Sequence, residues 1–521
     1  MSLLAGQSSP PSTGTSAGFG MAGTIVDAAS GTPLARARVT ISSMGHDASI
    51  TVLTGEDGRF AFAGLAAGKY TLRAQRAGYL TQSFDQHDFF YTSIVVGPEF
   101  DSGNVVFPLF RECSISGSIT DEAGEAVPDA QVSLFRTVIA NGHRLTILFK
   151  ANTADDEGSY EFSHLPGGRY FVAVSAKPWY AQHPPSKLPT TLPQSSAQLD
   201  VVYPTTFYAG ATEPDSAQPV DLKAGEQFVA DVELQPVPAN RLHFNSGEAG
   251  SRITSVQLES RSFDTEIPVL AETLPNSSGA MDVLGVPPGR YRVEVSSDGD
   301  KNPPASREIE VSNSGGVETV RGSPSVIAEV TLRLDSGTTF PADSSFLFHN
   351  SVTGENFGKE LGGRSGIEYK QRLPVGEYVL GVNDTTGLYI KTISAIGATV
   401  IGRTVAVKAA PAIRVEVVIA RALAKITGVA LRAGKPIPGA MVLLVPSDPA
   451  HNSPLFRNDQ SDSDGSFTLL QVPPGEYTLL AIEKGWDLEW RNPAELKPYL
   501  AQGQVLRVQE NQGYQMKLSV Q

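Results

Sequence analysis

Histidine and acidic side chains at metal-ligand spacing are the first residues that could carry chemistry. None of the eight histidines has Glu or Asp three residues further on, and neither His-Glu-x-x-His nor His-x-His occurs. The spacing of a zinc carboxypeptidase site is therefore absent. A phosphate-binding Gly-x-x-x-x-Gly-Lys-Ser/Thr loop is absent too, and no dinucleotide fingerprint follows a predicted strand. We expect no catalytic, cofactor-binding or metal-binding residues, and a protein that is not an enzyme.

Two acidic residues in a glycine turn, Asp462 and Asp464 before Gly465, form the best candidate for a cation site. Alternate acids in such a turn could supply oxygen ligands to calcium, but the bidentate Glu at the twelfth position of a full calcium loop is missing. We interpret this segment as a hairpin turn, with a calcium ligand pair as the alternative.

Aromatic side chains in predicted loops are the best candidates for ligand binding. Planar rings beside Asp, Glu or Arg suit stacking on sugars and hydrogen bonding to them. The alternative is that these rings cap the open end of a domain or pack between domains, since aromatic residues are more often buried than exposed. The segment His87 to Tyr91 is one such loop. The residues of the predicted glycan platform are Trp179, Tyr180, Tyr203, Phe207, Tyr208, Trp486, Trp490, Arg491 and Tyr499.

Length and composition predict several small β domains. A chain of 521 residues is too long for one core. Gly (50) and Pro (36) make up about a sixth of it and are spread throughout, which indicates many tight turns. No stretch has apolar residues at helical spacing over a long range, and none is long enough to span a membrane. The single cysteine, Cys113, excludes an intrachain disulfide.

The charge and the N-terminal segment bear on partners and location. The net charge is −14, and no cluster of Lys and Arg stands out, so nucleic acid is not an expected partner. Residues 1–7 resemble the tail of an apolar signal segment, and residues 10–20 have the composition of a linker. We therefore expect export to the periplasm, the cell surface or the medium.

One phrase occurs five times and organises the chain. Its first Gly, its second Gly ten residues later and a Tyr two residues after that keep these offsets in every copy, and apolar residues recur at +7 and +14. The pattern predicts a turn, a short strand with one buried face, a second turn and a further strand. We expect the Tyr ring at the edge of a core with its hydroxyl bonded to nearby backbone. The copies begin at Gly58, Gly158, Gly279, Gly366 and Gly465.

The fourth copy departs from the pattern. Glu368 and Lys370 stand at +2 and +4, where apolar residues stand in the others. We expect its strand to follow another register or to contain a β-bulge.

A second phrase precedes copies one, two and five, and reads as strand, turn, short edge segment and strand. Its copies run over 22–39, 115–132 and 426–442. Together, the two phrases resemble the carboxypeptidase regulatory-like domain, a transthyretin-like β-sandwich related to pilin-type B repeats and to the carbohydrate-binding-like fold. In that family the domain is an accessory beside a catalytic domain or stands in tandem on its own, so the resemblance implies no peptidase activity.

The fold we predict is all-β, with five tandem Ig-like or prealbumin-like sandwiches in an elongated array. Residues 1–19 are a linker or signal remnant. We predict carboxypeptidase regulatory-like domains at 20–112, 113–236 and 423–521, and degenerate sandwiches at 237–323 and 324–422. The closing strands are expected near 105–110, 229–234, 413–419 and 514–520.

The resemblance also bears on covalent cross-links. Pilin-type B domains often contain a Lys–Asn isopeptide bond assisted by a Glu four residues after the strand Tyr. The corresponding positions carry no acid, so we predict no such bond; they are Ala74, Val174, Val295, Val382 and Ala481.

The favoured function is a non-catalytic, exported and monomeric bacterial protein, acting as a cell-envelope spacer, adhesin or carbohydrate-binding scaffold. Its expected partner is a polysaccharide or an envelope protein. The alternative is an accessory subunit that binds a protein partner by strand addition along an exposed sheet edge. An enzyme with a site between domains comes third.

Overall fold

The computed structural model describes residues 18–44, 49–100, 102–183, 199–245, 252–275, 279–298, 305–312, 317–318, 325–337, 339–383, 387–421 and 423–521. The predicted signal remnant and most of the predicted linker lie outside these residues, as do the predicted boundary residues Ser323 and Ala422. The chain forms two compact units. The first contains residues 1–111, 436–439 and 460–465, and the second contains residues 112–435, 440–459 and 466–521.

β-strands dominate the described residues, which confirms the all-β prediction. They pair into successive groups of two sheets, and we call these groups sandwiches 1 to 5 in chain order. Sandwich 1 contains β1 to β8, which are Phe19–Asp27, Arg38–Ser43, Ser49–Leu53, Arg59–Leu65, Gly68–Gln75, Gln82–Ser83, Ile94–Val96 and Val105–Leu109. Sandwich 2 contains β9 to β18, which are Cys113–Thr120, Gln131–Ala140, His143–Thr153, Ser159–Leu165, Gly168–Ser175, Val201–Val202, Thr206–Phe207, Val220–Leu222, Gln227–Val229 and Val232–Glu233.

Sandwiches 3 and 4 follow along the chain. Sandwich 3 contains β19 to β27, which are Val237–Pro238, Asn240–Phe244, Ile253–Ser262, Thr265–Pro268, Glu272–Pro275, Met281–Val286, Gly289–Ser297, Ala305–Val311 and Val317–Glu318. Sandwich 4 contains β28 to β36, which are Ser325–Leu334, Ser345–Asn350, Asn356–Glu360, Gly366–Pro374, Gly376–Asn383, Tyr389–Ile396, Thr399–Ile401, Thr404–Val407 and Ala412–Ala420.

Sandwich 5 contains the strands β37 to β44 and one short α-helix. The strands are Ala424–Arg432, Lys435–Pro436, Met441–Pro446, Arg457–Gln460, Ser466–Val472, Gly475–Ile482, Gln504–Val508 and Gly513–Ser519, and the helix α1 is Pro493–Leu500. The helix begins at Pro493 because the side chain of Asn492 accepts a hydrogen bond from the Ala494 amide. No helix among the described residues is long and apolar enough to cross a membrane.

The sandwiches share a chain path. The first strand of sandwiches 1, 2, 4 and 5 pairs in parallel with the closing strand of the same sandwich, and antiparallel with the first strand of the repeated phrase. The closing strands are β8, β17 with β18, β36 and β44. In sandwich 3 the described residues place β20 beside β24 alone, and no closing strand pairs with it there. The two strands of the repeated phrase, one in each sheet, are therefore common to all five sandwiches, whereas the closing strand is described in four.

Alternation within many of the strands buries one face. In β4, Phe60 and Phe62 are buried and their neighbours are exposed, as the period of two requires. Sandwiches 1 to 4 each have their own cluster of buried apolar side chains between the two sheets. In sandwich 5 a further cluster packs Trp490 and the helix residue Leu496 onto β39 and β42. The cores are separate, so each sandwich buries its own apolar surface.

The repeated Tyr is confirmed in its predicted role in all five copies. Every ring is buried, and every hydroxyl donates to the carbonyl oxygen four residues earlier, over 2.6–3.1 Å. The pairs are Tyr70 with Ala66, Tyr170 with Pro166, Tyr291 with Pro287, Tyr378 with Pro374, and Tyr477 with Pro473. Burial raises the pKa of Tyr170, Tyr378 and Tyr477 to about 12. These hydroxyls are therefore structural donors that close the turn before the strand.

The departure of the fourth copy has a geometric cause. In the other four copies the strand contains a β-bulge, in which two residues oppose one on the first strand. The bulged residue at +6 is left-handed in each case: Gly64, His164, Gly285 and Gln471 have φ between 52° and 73°. Copy four pairs without interruption from Gly366 to Pro374. The prediction of another register is therefore correct, and a bulge in copy four is excluded.

The missing bulge explains the charged residues. One extra residue reverses which face a strand presents. In copies with the bulge, +2, +4 and +7 are all buried. In copy four the strand alternates evenly, so Ile367 and Leu373 point inward while Glu368 and Lys370 are exposed. Glu368 and Lys370 are thus surface residues of an intact strand.

A buried carboxylate joins the ends of sandwich 1. Asp27 is 2% exposed and accepts hydrogen bonds from the amides of Ala29 and Ser30, from the Tyr79 hydroxyl at 2.8 Å and from the Arg111 guanidinium at 2.8 Å. The amide of Ser30 and the hydroxyl of Tyr79 hold the pKa of Asp27 well below its usual range. Asp27 is therefore ionised, and it connects the first turn, at Ser30, to Arg111 after the closing strand.

Candidate functional site

The loop after β13 presents the most exposed tryptophan. Trp179 is 83% exposed, and its ring meets that of Tyr180 edge-on at 5.7 Å. Pro178, which precedes Trp179 in the chain, is buried. This loop is the part of the predicted glycan platform that is open to solvent.

A carboxylate anchors that loop to sandwich 2. Glu122 lies in the turn after β9 and accepts hydrogen bonds from the hydroxyls of Tyr180 and Tyr203, the latter at 2.9 Å. Burial alone would raise the pKa of Glu122, but the hydrogen bonds from the two tyrosines outweigh it and lower the pKa. Burial and the bond to Glu122 raise the pKa of Tyr180 to about 12. The loop is thus pinned at its base by an ionised carboxylate.

Other predicted platform residues of sandwich 2 are covered. Tyr203 is 4% exposed and belongs to the core. Tyr208 is half-buried, with its ring 5.6 Å from that of Phe228. Phe207 is 1% exposed. The prediction of an exposed platform is wrong for Tyr203 and Phe207, because both rings fill packed clusters.

The cluster around Phe207 is closed by a residue of sandwich 3. Phe263 stands at the turn between β21 and β22 with φ of 55°. Its ring lies 4.5 Å from that of Phe171, 5.2 Å from that of Phe135 and 5.6 Å from that of Phe207. A hairpin tip of one sandwich thus inserts an aromatic ring into the outer face of the preceding one.

The aromatic loop of sandwich 5 is also covered. Trp490 is 7% exposed, and its ring lies 5.2 Å from that of Phe456. The guanidinium of Arg491 lies 5.3 Å from the Trp490 ring and 5.5 Å from the Phe456 ring, a cation–π arrangement. Burial lowers the pKa of Arg491. Trp486 and Tyr499 are half-buried against the same cluster.

The cover comes from the β10–β11 hairpin of sandwich 2. Its tip, Asn141-Gly142, has φ of 49° and 79°. The Gly142 oxygen accepts a hydrogen bond from the Arg491 amide at 3.1 Å, and a Cβ added at Gly142 would lie 2.4 Å from the Trp490 ring. Arg144 pairs with Glu489 at 2.7 Å. The prediction of an exposed platform is therefore wrong for Trp490, and its alternative, packing between domains, holds there.

Sequence reasoning missed Gly142 and Phe263 as the residues that make these contacts. The dipeptide Asn-Gly between alternating strands is a strong hairpin signal and could have located the tip at 141–142. It could not have located the ring against which the tip packs.

The loop of sandwich 1 presents a single exposed ring. His87 and Phe90 exchange backbone hydrogen bonds of 2.8 Å around a two-residue tip, in which Asp88 has φ of 51°. Phe89, at this tip, is 94% exposed.

The acidic turn at 462–464 is engaged within the first unit. Asp462 accepts hydrogen bonds from the Ser93 amide at 2.9 Å and from the Lys69 ammonium. The Ser463 amide donates to the Ser93 oxygen at 2.9 Å, and the Ser463 hydroxyl accepts from the Val95 amide at 2.8 Å. In the part of the chain that the structure describes, no three His, Cys, Asp or Glu side chains gather as metal ligands. Residues 462–465 form a turn, in which the Gly465 amide donates to the Asp462 oxygen at 2.8 Å. The strands on either side lie in different sheets, so the turn does not close a hairpin.

The family model of the carboxypeptidase regulatory-like domain matches residues 20–98 and 114–235. These two matched segments lie in tandem and confirm the resemblance to this domain type in sandwiches 1 and 2. The same assignment for sandwich 5 stays a prediction. No curated protein sequence matches the chain significantly.

Several solved structures align with parts of the chain at low similarity. The Bacillus anthracis TIE protein is 12% identical, with 94% of this chain and 69% of that chain covered and a TM-score of 0.16. A streptococcal ancillary pilin is 11% identical, with 56% and 95% covered and a TM-score of 0.20. GBS52, the minor pilin of Streptococcus agalactiae, is 12% identical, with 42% and 97% covered and a TM-score of 0.21.

Proposed function

We propose that this protein is a non-catalytic scaffold of the bacterial cell envelope that presents a carbohydrate-binding aromatic loop on sandwich 2. The exposure of Trp179 on an anchored loop carries the proposal. Sandwich 2 contacts sandwich 3 through Phe263 and sandwich 5 through Gly142, which favours a scaffold whose parts hold a set arrangement. Export to the envelope is part of the proposal.

The Trp179 loop has the features that sugar stacking requires. An indole offers a large apolar face, and binding is stronger when that face is held in place beforehand. The base of the loop is held by Glu122 through the hydroxyls of Tyr180 and Tyr203. The edge-on contact with Tyr180 leaves Trp179 83% exposed, so a sugar ring can reach it.

Titration with a panel of soluble polysaccharides tests the proposal. We expect binding, seen by calorimetry and by tryptophan fluorescence, that Trp179→Ala abolishes and Trp179→Phe retains in part. Phe89→Ala is the matched control, since it removes an equally exposed ring from sandwich 1. A flat response across the panel, or equal binding by the Trp179→Ala protein, contradicts the proposal.

Strand addition to a protein partner is the second candidate, and one observation favours it. In the first unit, residues 462–463 bind along the edge residues Ser93 and Val95 through three hydrogen bonds of 2.8–2.9 Å. A segment remote in sequence thus already docks beside a sheet edge, through one main-chain and two side-chain bonds. The edge strand β3 of the same sandwich exposes Ile50 and Leu53, at 49% and 64%. Exposed apolar edges are suited to pairing with another chain.

A change of charge on that edge tests the second candidate. Ile50→Lys and Leu53→Lys place gatekeeper charges on β3. In amide hydrogen exchange with an envelope protein fraction, partner binding should slow exchange in β3 of the unaltered protein and leave the double variant unprotected. Exchange in β3 that the fraction does not change counts against this candidate.

A further inference from the structure

A basic trough lies at one end of the outer sheet of sandwich 2, apart from the Trp179 loop. Its volume is about 460 Å³, within the range of ~300–1,000 Å³ typical of small-molecule sites. The lining residues are Thr137, Arg144, Gly168, Arg169, Asp221, Leu222 and Lys223.

The sheet register aligns these side chains. Thr137 on β10 faces Thr146 on β11, and their hydroxyl oxygens are 2.9 Å apart. Arg169 on β13 faces Asp221 on β16. A polar row therefore crosses the four strands β11, β10, β13 and β16.

The groups in the trough are accessible. Arg169 binds Asp221 in a two-bond fork of 2.8 and 3.0 Å, and the two side chains are 55% and 61% exposed. Arg144 is 53% exposed and pairs with Glu489 through its Nε. An arginine held by two of its five N–H donors still presents donors to a ligand.

The charged residues that line the trough indicate which class of ligand it would bind. Three cationic residues and one carboxylate line the trough. Glu489 pairs with Arg144 and Asp221 pairs with Arg169, so Lys223 carries the charge that has no ion pair among the described residues. The cations suit an oxyanion. The Asp221 carboxylate is an acceptor, which repels a bare polyanion but binds hydroxyl donors. A ligand that carries both a carboxylate and hydroxyl groups satisfies both.

We propose that this trough is a binding site for an acidic saccharide, with Arg144, Arg169 and Lys223 around the sugar carboxylate and with Asp221 and the Thr137 hydroxyl bound to sugar hydroxyls. The site is separate from Trp179, so it can exist whether or not the Trp179 loop binds sugar.

Binding of glucuronate and of a short galacturonate oligomer to the full chain is measured by calorimetry or NMR. Glucose, which lacks the carboxylate, and acetate, which lacks the hydroxyl groups, serve as comparison ligands. We expect the acidic saccharides to bind more tightly than glucose or acetate. We also expect binding to weaken between about 0.01 M and about 1 M salt, where the screening length falls from ~30 to ~3 Å. Equal binding of glucose overturns the role of the cations, and equal binding of acetate overturns the role of the hydroxyl groups.

Substitutions locate the site. Lys223→Met removes a cation that forms no ion pair with the described residues, and Arg169→Met removes the fork. Each should weaken binding about tenfold, as the loss of one charge-assisted hydrogen bond does. Lys150→Met, which removes a cation outside the trough, should leave the affinity unchanged. Unchanged binding by the Lys223→Met and Arg169→Met proteins overturns the proposal, as does an equal loss in Lys150→Met.

Discussion

Gly142→Ala should open the contact between sandwiches 2 and 5. A Cβ at this position would lie 2.4 Å from the Trp490 ring, closer than any stable contact. The φ of +79° adds about 1–2 kcal/mol of backbone strain for a residue with a side chain. Overpacking a filled site costs a further ~1–3 kcal/mol. The hydrogen bond from the Arg491 amide and the ion pair of Arg144 with Glu489 depend on the same contact.

Gly124→Ala is the matched control. Gly124 lies in the same sandwich with the same φ of +79°, and nothing lies within 4 Å of its added Cβ. It therefore reports the backbone strain of ~1–2 kcal/mol alone. The difference between the two variants, ~1–3 kcal/mol, measures the overlap with Trp490.

Acrylamide quenching of a protein that keeps Trp490 as its only tryptophan is the assay. Trp179→Phe and Trp486→Phe provide that background. Trp490 is 7% exposed, so quenching should be weak in the parent and in Gly124→Ala, and strong in Gly142→Ala. Equal quenching in the two alanine variants refutes the contact.

Three further predictions concern the repeated frame and the core of sandwich 1. Tyr477→Phe should lower the free energy of unfolding by about 0.5–1.5 kcal/mol in urea, because a buried carbonyl loses its donor, whereas Tyr514→Phe, at an exposed hydroxyl, should change it little. Asp27 has a lowered pKa, so it contributes stability above its unfolded pKa of about 3.9, and that stability is lost as the pH falls below this value. In thermal melts from pH 7 to pH 2, the melting temperature of Asp27→Asn should therefore fall less steeply with decreasing pH than that of the unaltered protein. An equally steep fall in both proteins argues against the role of Asp27. Gly64→Ala should cost only ~1–2 kcal/mol, since its Cβ meets nothing within 4 Å, whereas deletion of Gly64 should prevent sandwich 1 from folding by reversing the faces of β4, as circular dichroism and hydrogen exchange would report.

Local features of the fold were predictable from the sequence. The Tyr hydroxyl bonds a carbonyl four residues earlier, so turn and ring are encoded in one short phrase. Alternation of Phe60 and Phe62 likewise predicts the buried face of β4. The face reversal of copy four was partly predictable: the charges at Glu368 and Lys370 indicate a changed register. The β-bulge in the other four copies was not predicted, because a left-handed residue such as His164 or Gln471 has no distinctive side chain.

The candidate site was less predictable. The aromatic residues were correctly singled out, but Trp179 is exposed while Trp490 and Phe207 are covered. The covering residues, Gly142 and Phe263, lie in other sandwiches. No periodicity in the sequence reports such a contact.

The sequence by itself determined the all-β class, the repeated pair of strands with its turns and the resemblance to the carboxypeptidase regulatory-like domain, because turns and alternation act over a few residues. Only the tertiary structure decided which rings remain open to a ligand and where cations gather. The pair of Arg144 and Glu489 spans 345 residues, and the trough residues come from separate strands. Such neighbours are set by packing between strands and between sandwiches.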